Sequence, residues 1–324
     1  MVGSTFLAMV LTPFRATRDP DRPIGGEHRS RARARRVAGE LAVIGAFYLA
    51  YSAARNMFGS ANVAPHVAFE NAHNIIGIER SAGLFFETEL QALFLGWQPV
   101  VWSLNVFYGT FHFVVTGATL AWLFLRLPDY YRRWRNTLGA TTALAIIGFS
   151  LFPVMPPRLL ADCGPYGACA GPELVDTIAE IGGLWTFDSG AMESVSNQYA
   201  AVPSLHIAWS LWCTAVVVSL WPRRWGRVVA ASYPLITLLA VLVTANHYWL
   251  DAVFGALALI GGVAVAGLIE RWSVTTSEAG TWQPEHWPGR ALGYDISAER
   301  VLSCRGTRTA RVTDEGFPVR DMWR

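Results

Sequence analysis

The chain has 324 residues, 52% hydrophobic and only 15% charged, with a mean hydropathy of +0.30. Its apolar residues gather in runs too long and concentrated for an ordinary soluble core, which excludes a soluble globular domain and points to a polytopic membrane protein. All 26 basic residues are arginine, and they are segregated into particular loops instead of forming one basic face, so the net charge of +2 implies no nucleic-acid partner.

Residues 1–36 hold eight arginines among scattered Pro and Gly and read as a disordered cytoplasmic arm; the weak apolar run at 6–11 has no basic residue ahead of it and is not a signal peptide. A first span is predicted at about 37–57. Between 59 and 98 the pattern breaks into shorter amphipathic pieces bearing His66, Glu70, Asn71, Asn74, Glu79, Arg80, Glu87 and Glu89, which predict interfacial or re-entrant helices in an outer loop. Glu79 and Arg80 read best as an exposed ion pair. Second and third spans follow at about 100–125 and 136–153, separated by Arg126, Arg132, Arg133 and Arg135.

The loop 154–200 carries six acids and one basic residue, Arg158. Beyond it, an apolar run to Trp221, a turn with Arg223, Arg224 and Arg227, and a second run over 228–243 form a there-and-back crossing, since each run approaches the ~30 Å hydrocarbon layer at 1.5 Å per residue. Pro203 suits the first turn of this fourth span, and Pro234 is expected to bend the fifth. A sixth span is predicted at about 248–269. The expected fold is therefore all-α: a six-span membrane bundle over 37–270, followed by a cytoplasmic tail, 271–324, whose role is unreadable.

Alternating the spans puts nearly all arginines on one side, so the positive-inside rule predicts a cell-membrane protein with both termini in the cytoplasm and Arg158, His206 and His247 on the outer face. Trp97, Trp102, Trp221, Trp225, Trp249 and Trp272 fall near predicted span ends, as an interfacial belt requires. Cys163 and Cys169, six apart in the outer loop, read equally as a small disulfide loop or as two free thiols; Cys213 lies in a span and Cys304 in the tail.

The hairpin brings His206 and His247, 41 positions apart, to one membrane face. In His247-x-x-x-Asp251 the carboxylate falls one helical turn along, where it can accept the Nδ1 proton and leave Nε2 free as nucleophile or base. Zinc ligation or a helix-terminal hydrogen bond explains that pair equally well by itself. Its company narrows the choice. Pro203-Ser204-Leu205-His206 opens a helix whose free amides attract anions, and Pro156-Pro157-Arg158 presents an arginine at the same mouth. A guanidinium, two imidazoles and a helix N-terminus together describe a phosphoryl site. His112, midway down the second span, is a hydrogen-bonded packing residue or a cavity-lining substrate contact.

The ordered motifs Pro-Pro-Arg-Leu, Pro-Ser-Leu-His and Asn-His-Tyr-x-x-Asp, over roughly 62–269, resemble the type 2 phosphatidic acid phosphatase superfamily, and most of all its inositol phosphorylceramide synthase and inositolphosphotransferase branch. The resemblance implies an integral-membrane enzyme that needs no metal or other cofactor. It makes His247 the nucleophile that forms a phosphohistidine, Asp251 its orienting partner, His206 the acid and then base, and Arg158 and Ser204 the holders of the phosphoryl oxygens. Its substrates would be a phospholipid in the bilayer and a hydroxyl acceptor: water, a lipid or a polyol. Where the phosphatases of the superfamily carry a lysine seven residues before the arginine this chain has Leu151, and where they have a Ser-Arg pair before the last histidine it has Ala240-Val241. With two of three cations missing, a monoanionic phosphodiester is favoured over a phosphomonoester, consistent with transfer of an inositol-phosphate headgroup. The competing expectations are a plain lipid phosphate or polyprenyl pyrophosphate phosphatase, a zinc-dependent intramembrane hydrolase, and a lipid carrier; a serine hydrolase at Ser204 lacks the Gly-x-Ser-x-Gly elbow.

Overall fold

The computed structural model describes residues 26–58, 63–160, 174–184 and 197–280. Cys163, Cys169, Cys304, the first 25 residues of the arm and the tail from 281 lie outside them. The described elements are α1 (Gly26–Phe58), α2 (Pro65–Ser81), α3 (Glu87–Leu95), α4 (Gln98–Arg126), α5 (Pro128–Leu151), a 3-10 turn (Pro157–Leu159), α6 (Thr177–Glu180), α7 (Leu205–Leu220), α8 (Arg224–Val243) and α9 (Trp249–Gly280). One isolated parallel bridge joins Val154 to Ala200.

Among the described residues, four helical stretches are long and apolar enough to cross a membrane: Ala34–Ala54, Gln98–Arg126, Arg224–Val243 and Trp249–Trp272. The other two expected spans are helices that fall short by this measure. α7 is apolar but has only 16 residues, about 24 Å at 1.5 Å per residue, and α5 includes Arg132, Arg133 and Arg135 in its first turns. α1 also begins well ahead of the expected Val37, so the stretch 26–36 is helical and not part of an unstructured arm. Alanine, arginine and glutamate are strong helix formers, and a helix already started in the bilayer extends through them at little cost.

Packing follows the hairpin. α7 lies against α8, α4 and α5, and its Trp212 is fully buried among Leu123, Tyr131, Trp134, Val216, Leu259 and Val263. The Trp212 indole donates to the Trp134 carbonyl at 3.0 Å, and that of Trp209 donates to Thr142 Oγ1 at 3.0 Å. Pro234 lies inside α8 as expected. Lacking an N–H, it leaves the carbonyl of Ala230 without its helical donor, and the Thr214 hydroxyl of α7 supplies one at 2.6 Å.

At the opposite end, α2 buries Ala68, Ala72, Ile75, Ile76 and Glu79, the i, i+4, i+7, i+8, i+11 stripe of an amphipathic helix. That stripe packs on Val154, Met155, Leu160, Ala201, Val202 and Tyr248. Backbone bonds from Met155 N to Ala68 O (3.0 Å) and Val154 N to Tyr199 O (2.9 Å) fix the exit of α5 against this layer. Close approach of α9 to the start of α7 depends on Gly255, where a Cβ would stand 2.5 Å from the Ser204 carbonyl oxygen.

Candidate active site

α8 ends at Val243, and Ala245 takes a left-handed conformation, φ +51°, that turns the chain sharply toward α9. Alanine in that region is strained by about 1 kcal/mol, and the turn persists because its amides are all engaged: Asn246 N and His247 N both donate to Val241 O, at 3.1 and 3.2 Å. His247 emerges from this turn nearly fully buried. α9 starts at Trp249, so His247 precedes the helix instead of opening it, yet its Nδ1 still lies 3.1 Å from Asp251 Oδ2. The same nitrogen is 2.9 Å from the carbonyl of Ala201. A carbonyl only accepts, so Nδ1 carries the hydrogen and Nε2 presents a lone pair. That lone pair faces Nδ1 of His206 at 3.3 Å.

The N-terminus of α9 is capped by three carboxylates in succession. Tyr248 N donates to Asp251 Oδ2 (2.9 Å), Trp249 N to Glu87 Oε1 (3.1 Å) and Leu250 N to Glu79 Oε1 (3.0 Å). All three acids are buried. Carboxyl oxygens at this position accept from amides that the helix itself cannot satisfy. Glu79 is therefore not half of an exposed pair with Arg80: consecutive residues project about 100° apart on a helix, and Arg80 turns outward over the Phe85 ring, 5.0 Å from its centroid. Burial, and next the charge of Glu87, push the Glu79 carboxyl up to about 9. Glu87 had no separate signal in the sequence beyond being an acid in a short apolar helix.

Arg158 is buried and held at both ends. Its backbone N–H donates to Ala245 O (2.8 Å), its Nε to Asn246 Oδ1 (3.0 Å), and one terminal nitrogen to Asp176 Oδ2 (2.8 Å). Asn246 in turn donates to Thr244 O and Oγ1 at 3.1 and 2.9 Å, so the residue before His247 is the bracket for the arginine. The carbonyl of Met155, the residue just before Pro-Pro-Arg, accepts from the Tyr248 hydroxyl at 3.1 Å.

On α7, Ser204 is the N-cap, accepting from Ile207 N at 3.4 Å, and Pro203 stands outside the helix instead of in its first turn. Ser204 is buried, and its own N–H donates to Asp251 O at 3.1 Å, which locks the starts of α7 and α9 together. The His206 ring lies between Tyr108 (centroids 4.3 Å) and His112 (4.2 Å), and His112 Nδ1 donates to Tyr108 O at 2.8 Å. His112 is thus a neighbour of His206. Every residue expected at the site, Arg158, Ser204, His206, His247, Asp251 and His112, joins this one network, as does Asn246 of the Asn-His-Tyr-x-x-Asp motif; Ala201, Asp176, Tyr108 and the two glutamates were not expected in it. Beside Trp249 an apolar cavity of about 370 Å³ opens between Leu84, Phe86, Leu238 and Val253.

Compared with known proteins, the chain matches the family model of the PAP2 superfamily over residues 73–265. It belongs to the PAP2 superfamily. The match spans α2 to α9 and so includes every element that contributes to the network. Among curated proteins, and among solved structures, the comparisons found no match. As a PAP2 superfamily member the chain is a phosphatase or phosphotransferase that acts on lipids, and its apolar helices fit a membrane protein.

Proposed function

We propose that this PAP2 superfamily enzyme transfers a phosphoryl-bearing headgroup of inositol-phosphate type between a phospholipid and a hydroxyl acceptor by way of a phosphohistidine. The observation that carries the reading is the pair of imidazoles 3.3 Å apart, one anchored through Nδ1 so that its Nε2 lone pair faces the other. Nε2 of His247 forms the bond to phosphorus, the phosphorus–oxygen bond to the leaving group breaks, and a proton from His206 goes to the departing oxygen. His206 then takes the proton of the acceptor hydroxyl as that oxygen displaces the histidine. The phosphoryl group enters by replacing the His206–His247 hydrogen bond. Arg158 and the Ser204 hydroxyl hold its oxygens, Asp251 keeps His247 aligned, and His112 packs edge-on against the His206 ring.

Support for a lipid substrate comes from the apolar cavity beside Trp249, two residues from the nucleophile, which suits an acyl chain. Preference for a phosphodiester is supported by the cation count: Leu151, Ala240 and Val241 stand where the superfamily's phosphatases carry further phosphate-binding residues. We place α5 and α7 in the bilayer as the remaining two of six crossings, with α2 and α3 at the interface, both termini cytoplasmic and the site on the outer face, as the arginine distribution favours. Reporter fusions in the 126–135 and 223–227 turns test the orientation.

The decisive experiment is mass spectrometry of products after purified protein meets mixed phospholipids with inositol or diacylglycerol. A new phosphodiester, lost in His247→Ala, is the expected result. Faster turnover of phosphatidic acid than of phosphatidylinositol, with release of free phosphate, overturns it.

A further inference from the structure

Asp176 occupies a place that the phosphoryl-transfer reading leaves unused. Its Oδ2 accepts from the Arg158 guanidinium at 2.8 Å, and its Oδ1 accepts from Ile178 N and Ala179 N, each at 3.1 Å. The carboxylate is thus committed to three donors and does not depend on the arginine alone for its position. The residues on either side are pinned just as firmly. Buried Gln91 of α3 donates to Val175 O (3.0 Å), accepts from Val175 N (2.8 Å) and also donates to Val243 O (3.0 Å) at the end of α8. Buried Asn105 of α4 donates to Thr177 O (2.9 Å) and Gly182 O (2.7 Å), and accepts from the Thr177 hydroxyl at 2.7 Å. Two interior amides from two helices therefore hold one acid against the arginine at the phosphoryl site. An ordinary surface loop has no need of this, because water satisfies its backbone.

We propose that Asp176 is a specificity-determining residue: it offsets the charge of Arg158 and so restricts the site to phosphoryl groups bearing a single negative charge. The inference rests on Arg158 being the phosphate-binding cation of the proposed transferase. A phosphomonoester or pyrophosphate brings close to two charges or more at neutral pH, a phosphodiester one. Against a lone buried guanidinium the more highly charged group gains most. Against a guanidinium with a fixed carboxylate beside it, the second charge meets repulsion that the cation no longer outweighs. The restriction thus works by excluding competitors, with no contact specific to the preferred lipid.

The test is Asp176→Asn, which has the same shape and keeps an oxygen to cap Ile178 and Ala179 while removing the charge. In one detergent system, kcat/KM is measured for phosphatidic acid and for phosphatidylinositol, in the wild type and in the variant. The monoester-to-diester ratio is expected to rise at least tenfold in Asp176→Asn and to stay within twofold of wild type in Asp176→Glu, which retains the charge. An unchanged ratio in Asp176→Asn overturns the proposal. If that protein does not accumulate, Asp176→Ser, also neutral and also a capping residue, reads the same ratio with the same two outcomes. Failure of the transferase reading looks different: wild-type protein that favours phosphatidic acid overturns that reading, while the change of ratio on neutralising Asp176 still decides the role of the carboxylate.

Discussion

The carbonyl of Ala201 lies 2.9 Å from Nδ1 of His247, nearer than the carboxylate of Asp251 at 3.1 Å. The tautomer that bares Nε2 is thus set by main chain as well as by the acid. In a triad where the acid alone holds the imidazole, its amide replacement lets the wrong tautomer form and costs about 10⁴-fold. Asp251→Asn is expected to lose less here, about 10²-fold in kcat with little change in KM, and steady-state kinetics on the purified protein checks it.

Glu79 makes stability fall with rising pH. Unfolding returns its carboxyl from about 9 to the ordinary 4.5, so between those values the native state binds more protons than the unfolded chain. Its contribution is full below about 4.5 and lost as pH climbs through about 9, with a slope no steeper than ~1.4 kcal/mol per pH unit. Glu79→Gln keeps an oxygen for Leu250 N and removes the titration. Its thermal unfolding in detergent should vary less between pH about 6 and about 8.5 than that of the wild type.

Arg158→Lys retains a positive charge but loses the planar fork that reaches Asn246 and Asp176 together. A fall of about 10²-fold in kcat/KM is expected. Asn246→Ala, which leaves the arginine and removes its bracket, should lower kcat/KM by about tenfold; equal losses in the two variants would show that the bracket matters as much as the fork.

Gly255→Ala puts a methyl group 2.5 Å from the Ser204 carbonyl oxygen, which is backbone and cannot swing aside. Overpacking of this kind costs about 1–3 kcal/mol. Because Ser204 N also donates to Asp251 O at 3.1 Å, the displacement reaches the site. The variant should melt earlier and turn over more slowly, in thermal unfolding and activity measured side by side.

The parts of the site that could be read in the chain are those with local spacing or a strong compositional contrast. His247 and Asp251 are one turn apart, Arg158 is the sole base in an acidic loop, and the apolar hairpin brings His206 back to His247. Contacts across sequence left no such trace. Glu79 meets Leu250 across 171 positions and Glu87 meets Trp249 across 162, and nothing in either glutamate's neighbourhood distinguishes a buried cap from a solvated surface acid. Asp176 was one of six acids in its loop until Gln91 and Asn105 were seen to hold the residues beside it. The limits of α1, α5 and α9 differed from expectation because hydropathy marks where a helix meets lipid, whereas hydrogen bonding decides where it stops.

The glutamates that cap α9 also bear on the order in which this molecule is assembled. α2 and α3 leave the ribosome well before α9, and until α9 docks, Glu79 and Glu87 lack the amides they will bind. Two acids are costly to take from water without partners, so the layer they occupy is expected to close only when α9 docks. His247, the proposed nucleophile, arrives with α9 and closes that layer in the same step, so chains truncated before α9 are expected to lack the site.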